Sequence, residues 1–87
     1  MPKFAKQAQA TRYIRNLLAS RGIELEPGIL IIGEAEECQV FEYNRKCLAI
    51  DTKSGIWIGA SGGDWRCIDQ ACTVGSALQA IEFLLKD

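Results

Sequence analysis

The chain has 87 residues and a mass of 9.6 kDa, room for one domain with a core one layer deep. Hydrophobic residues make up 48% and charged residues 24%, an ordinary globular composition that excludes a disordered tail, a collagen-like repeat and a coiled-coil rod. Ten basic residues against eleven acidic ones leave a net charge of -1, so the chain as a whole is not a general nucleic-acid binder.

In chain order, residues 3 to 21 read as a helix: Ala10, Tyr13, Ile14, Leu17 and Leu18 recur at three- and four-residue steps, and Gly22 suits the left-handed position beyond its end. Pro27-Gly28 marks a turn. The β-branched run Ile29–Ile32, bounded by Gly28 and Gly33, reads as a central strand covered on both faces. Glu34-Ala35-Glu36-Glu37 reads as an acidic loop. Cys38–Tyr43, Cys47–Ile50, Ile56–Ile58 and Trp65–Ile68 read as short strands, joined by turns at Asn44-Arg45-Lys46, Asp51–Gly55 and Gly59–Asp64. Val74, Ala77, Leu78, Ile81, Leu84 and Leu85 form one stripe on a final helix, with Thr73 as its N-cap. Short turns imply antiparallel pairing. The expected fold is α+β: an N-terminal helix, an antiparallel sheet of four to five short strands and a C-terminal helix on one sheet face, in a single domain spanning residues 1–87.

No apolar stretch follows the charged Met1–Lys6 segment, and Ile29–Ile32 falls far short of the roughly 20 residues that span a bilayer. The expectation is a cytoplasmic protein with no membrane contact. Its four cysteines, Cys38, Cys47, Cys67 and Cys72, are then reduced thiols. Only Cys67 and Cys72 approach metal-ligand spacing, with no second tight pair, so they read as small core residues and no metal or cofactor is expected.

The chain has no His, which removes the usual partner of a nucleophilic Cys. Gly59-Ala60-Ser61-Gly62-Gly63 lacks the Gly-Lys-Ser/Thr ending of a phosphate loop and reads as a hairpin turn. Enzymatic activity is not expected; a small enzyme using Cys67 or Cys72 is the weakest of three readings.

Charge is unevenly spread. Residues 1 to 22 hold Lys3, Lys6, Arg12, Arg15 and Arg21 and no acid, whereas residues 23 to 51 are acid-rich. The acids Glu34, Glu36 and Glu37 could meet a basic surface on another protein. Trp57 and Trp65 flank the glycine-rich turn, and Trp is enriched at interface anchors. Trp57 is expected to be the more exposed, because Ile56 and Ile58 take the opposite face of their strand. The candidate partner-binding residues are therefore Glu34, Glu36, Glu37, Trp57 and Trp65. The alternative is nucleic-acid or nucleoprotein binding through Lys6, Arg12 and Arg15, as in a phage or mobile-element accessory protein. A thin sheet with a bare face or edge also suits a homodimer.

Gly28-Ile-Leu-Ile-Ile-Gly33, then Cys47-Leu-Ala-Ile-Asp51 with Thr52-Lys-Ser-Gly-Ile-Trp57, then Gly75-Ser-Ala-Leu-Gln-Ala-Ile-Glu-Phe-Leu-Leu85 is similar to the SUKH superfamily, the Smi-Knr-like immunity proteins of bacterial toxin systems. Asp51, Gly55, Trp57, Ser76, Leu78 and Phe83 stand at the matching positions. The resemblance, over residues 28 to 85, implies a non-enzymatic binding module that masks a toxin.

Overall fold

The structure, a computed structural model, describes residues 3–32, 36–51, 53 and 55–86. The elements run α1 (Gln7–Ser20), β1 (Gly28–Ile32), β2 (Glu36–Tyr43), β3 (Lys46–Ile50), β4 (Ile56–Ala60), β5 (Trp65–Asp69) and α2 (Val74–Leu85). The strands form one antiparallel five-stranded sheet in sequence order, and the fold is α+β as expected.

Register assigns each side chain to a face. Phe41, Leu48 and Ile58 stand opposite one another on β2, β3 and β4, and Ile50 stands opposite Ile56. This face carries both helices: all five residues are buried in one cluster with Ala10, Ile14 and Leu18 of α1 and Ala77, Ala80, Ile81 and Leu84 of α2. The alanines let the helices approach closely. Helix α2 lies over β3 and β4, while α1 packs beside α2 and touches β3. The molecule is 20 Å thick along its shortest axis, one helix layer on one sheet.

Local chemistry explains the ends of these elements. Asn44 and Arg45 adopt φ of 54° and 67°, the left-handed pair of a type I′ turn that matches strand twist. Thr73 caps α2: its Oγ1 accepts from the Ser76 amide at 3.1 Å, while Ser76 Oγ accepts from the Thr73 amide at 3.0 Å. This reciprocal capping box uses Ser where Glu or Gln is usual.

Three sequence expectations change. Helix α1 begins at Gln7, since Lys3 forms a β-bridge to Thr73 and the Phe4 amide donates to the Cys72 carbonyl at 2.8 Å; Lys6 at the cap offers no side-chain acceptor. Strand β1 is an edge strand rather than a central one, and Ile29 and Ile31 are 63% and 68% exposed. Glu36 and Glu37 belong to β2 rather than to a loop, because they pair with Ile32 and Ile31. Residues 33–35, including Glu34, lie outside the described residues, as do Thr52, Ser54 and the side chain of Glu36.

Candidate functional site

Alternation along the strands leaves a second face that no described helix covers. One row across it runs Gly28, Val40, Ala49, Trp57 and Cys67. The next holds Glu42, Cys47, Gly59 and Trp65, and β1 adds Leu30 opposite Cys38. Both tryptophans therefore share this face, and each is half-buried. Trp57 was expected to be the more exposed of the two; the structure gives both the same half-buried standing, and neither joins the core cluster. Large indoles stand beside small residues here. Gly59 has to be glycine, because a Cβ would come 2.6 Å from the Asp64 carbonyl oxygen.

Trp57 is held by the loop before its strand. Asp51 Oδ1 accepts from the amides of Lys53 at 2.9 Å and Gly55 at 2.7 Å, and Oδ2 accepts from Trp57 Nε1 at 3.4 Å. The Asp-x-x-x-Gly-x-Trp pattern is thus a loop fastener that orients the indole.

A groove of about 560 Å³ opens where β1 begins, walled by Leu30, Val40, Cys47 and Trp65, with Glu26 and Glu42 as its charged residues. Ser61 Oγ donates to Glu42 Oε2, which fixes the carboxylate at the groove wall. Burial, then the charge of Glu42, pushes the Cys47 thiol up from its usual range. Cys72 lies under α2 with no exposure. Burial, then Asp69 and Asp51, pushes its pKa up to about 12. Neither is the thiolate that nucleophilic chemistry needs. Among the described residues no three Cys, Asp or Glu side chains converge on a metal-sized site, and no helix is long and apolar enough to cross a membrane.

Of the five candidate partner residues, Glu37, Trp57 and Trp65 have described side chains, and these three do not form one patch. Trp57 and Trp65 share the open face. Glu37 is exposed on the opposite, helix-bearing side, as its pairing with Ile31 and alternation with Cys38 require. Glu26 and Glu42, beside Trp65, were not among the candidates; strand alternation alone could place Glu42 opposite Phe41, but only register could bring it to Trp65.

On the other side, Arg12 and Arg15 line a second cleft of about 460 Å³ between α1, Pro27 and Gln39 of β2, together with Gln7, Thr11 and Asn16. Gln7 Nε2 donates to the carbonyls of Ile50 at 2.7 Å and Glu37 at 2.9 Å, bracing α1 against the sheet. Arg15 Nη1 faces Glu26 Oε2 at 3.4 Å, an exposed pair that offsets part of the positive charge. Lys6 is exposed at the helix cap and does not line the cleft. No family model, curated protein or solved structure matches the chain.

Proposed function

We propose that the protein is a non-enzymatic cytoplasmic module that binds a basic surface of another protein through the helix-free face of its sheet, masking that partner as an immunity protein masks a toxin. The observation that carries the reading is one continuous face bearing Trp57, Trp65, Leu30 and Val40 with the carboxylate of Glu42 at its groove. Half-buried indoles supply rigid apolar area, and a rim carboxylate selects a cationic partner and speeds encounter. The SUKH-like pattern over residues 28 to 85 makes a toxin the partner class.

A tagged chain recovers the partner from native lysate, and calorimetry with purified components measures the affinity. Trp65→Ala and Glu42→Lys each weaken binding about 30-fold or more, the scale of an interface hot spot, while Arg12→Ala/Arg15→Ala leaves it unchanged. Absence of any protein partner, or affinity indifferent to Trp65 and Glu42, overturns the reading. A toxin gene directly upstream of this one supports it.

The Arg12–Arg15 cleft favours a second reading, a phage or mobile-element accessory protein that contacts nucleic acid. It requires a gel shift at low salt that Arg12→Ala/Arg15→Ala abolishes.

A further inference from the structure

The two edges of the sheet differ in kind. Strand β5 carries the devices that discourage edge pairing: exposed Arg66, Asp69 and a register shift against β4 between Ile56 and Trp57. Strand β1 has none. Its sequence is Gly-Ile-Leu-Ile-Ile, and its three central side chains, Ile29, Leu30 and Ile31, are all exposed.

The backbone direction of β1 follows from the β2–β3 hairpin. Tyr43 and Lys46 flank the two-residue Asn44-Arg45 turn, so they form a hydrogen-bonded pair. Counting back by twos, Tyr43, Phe41 and Gln39 direct their amides and carbonyls toward β3, and Glu42, Val40 and Cys38 direct theirs toward β1. Gly28 and Leu30, opposite Val40 and Cys38, therefore point inward to β2. Ile29 and Ile31 present their amides and carbonyls outward, and no described segment pairs with them.

We infer that β1 pairs antiparallel with β1 of a second copy of this chain, about a two-fold axis through Leu30, to make a continuous ten-stranded sheet. In this register Ile29 meets Ile31 of the second copy and Ile31 meets Ile29, so all four outward groups are paired. Centring on Ile29 instead sets Ile31 opposite Pro27, which has no amide. Side chains agree on both faces. One row across the junction reads Cys38, Leu30, then Leu30 and Cys38 of the second copy. On the helix side it reads Gln39, Ile29, then Ile31 and Glu37 of the second copy, with no like charges opposed. The three exposed side chains offer roughly 200 to 300 Å² per copy, below the roughly 800 Å² of a standard interface. The dimer is accordingly reversible and concentration-dependent. It joins the two open faces and doubles the proposed partner surface, yet it stands without that proposal.

Sedimentation equilibrium tests it. The average mass rises from 9.6 kDa toward twice that value with concentration. Ile29→Lys and Ile31→Pro remain monomeric, the second because it removes only an outward amide; circular dichroism and thermal melts check that both stay folded. Oxidative cross-linking reads the register in a Cys38→Ala/Cys67→Ser background, which removes the cysteine opposite Leu30 in the same chain. Leu30→Cys gives a covalent dimer, since a non-hydrogen-bonded pair sets Cα atoms about 4.5 Å apart, within disulfide reach. Ile29→Cys alone does not, but mixed with Ile31→Cys it does. A wild-type chain that is monomeric at every concentration, self-linking Ile29→Cys, a dimer unaffected by Ile29→Lys, or pairing only with an added foreign strand overturns the inference.

Discussion

Asp51→Ala removes the fastener of the β3–β4 loop. Its carboxylate accepts two backbone amides, at 2.9 and 2.7 Å, and one of these belongs to buried Gly55. Bonds to charged acceptors contribute about 1.5–3 kcal/mol when shielded, and Asp51 is itself part-exposed, so the lower end applies to the pair. Stranding the Gly55 amide adds to the loss. Together these give about 2–3 kcal/mol, which for a domain this size lowers the Tm by roughly 10–20 °C. Asp51→Asn keeps one acceptor oxygen and costs about 1 kcal/mol. Gly55→Ala probes the same contact, since its Cβ would stand 3.0 Å from Asp51 Oδ2 and the carboxylate would have to give by a few tenths of an ångström. Urea unfolding followed by circular dichroism measures all three. In a Trp65→Phe background, Asp51→Ala also shifts the fluorescence of Trp57, whose Nε1 loses its acceptor. An Asp51→Ala chain within about 0.5 kcal/mol of wild type, the ordinary scatter of neutral surface changes, would refute the structural account of this motif.

Three further outcomes follow from single residues. Thr73→Ala costs about 1 kcal/mol in urea unfolding, the usual loss for an N-cap hydroxyl, because the Ser76 amide loses its acceptor. Arg45→Gly stabilises by about 0.5–1 kcal/mol, the left-handed penalty of roughly 1–2 kcal/mol relieved at φ 67° less the roughly 0.5–1 kcal/mol of extra entropy glycine loses on folding; a loss of stability contradicts the turn geometry. Cys72 gives an alkaline signature. Its folded-state pKa is raised from 9.0 to about 12, so the unfolded thiol ionises first, and the stability present below pH 9 declines as pH rises toward 12. The slope approaches about 1.4 kcal/mol per pH unit. Urea midpoints at pH 8 and 10.5 separate more for wild type than for Cys72→Ala; equal separations contradict the assignment.

Much of this architecture is readable from residue order, and the misreadings share one cause. Helix α2 was legible because its apolar stripe and its Thr73 cap agree at short range. Strand β1 was not, because an unbroken β-branched run looks the same whether both its faces are covered or both are bare. Its position is decided by topology: in a meander the first strand must be an edge. Alternation placed Trp57 opposite Ile56 and Ile58, as expected, but its shared face with Trp65 needed the β4–β5 register. The groove acids were missed for the same reason. Glu26 and Glu42 are sixteen positions apart in sequence and share a wall only after β1 pairs with β2. The amphipathic pattern of α1 was visible, whereas its first turn was not, because Lys3 and Phe4 are held by Thr73 and Cys72 near the other end of the chain.

Hydroxyl-radical footprinting by mass spectrometry, on the purified chain and on the chain re-isolated with its protein partner, addresses the role of the open face most directly. Trp57 and Trp65 lose reactivity together in the complex, while Tyr13 of α1 keeps its own. Protection of Tyr13 with both indoles unchanged would move the working surface to the helices and contradict the account.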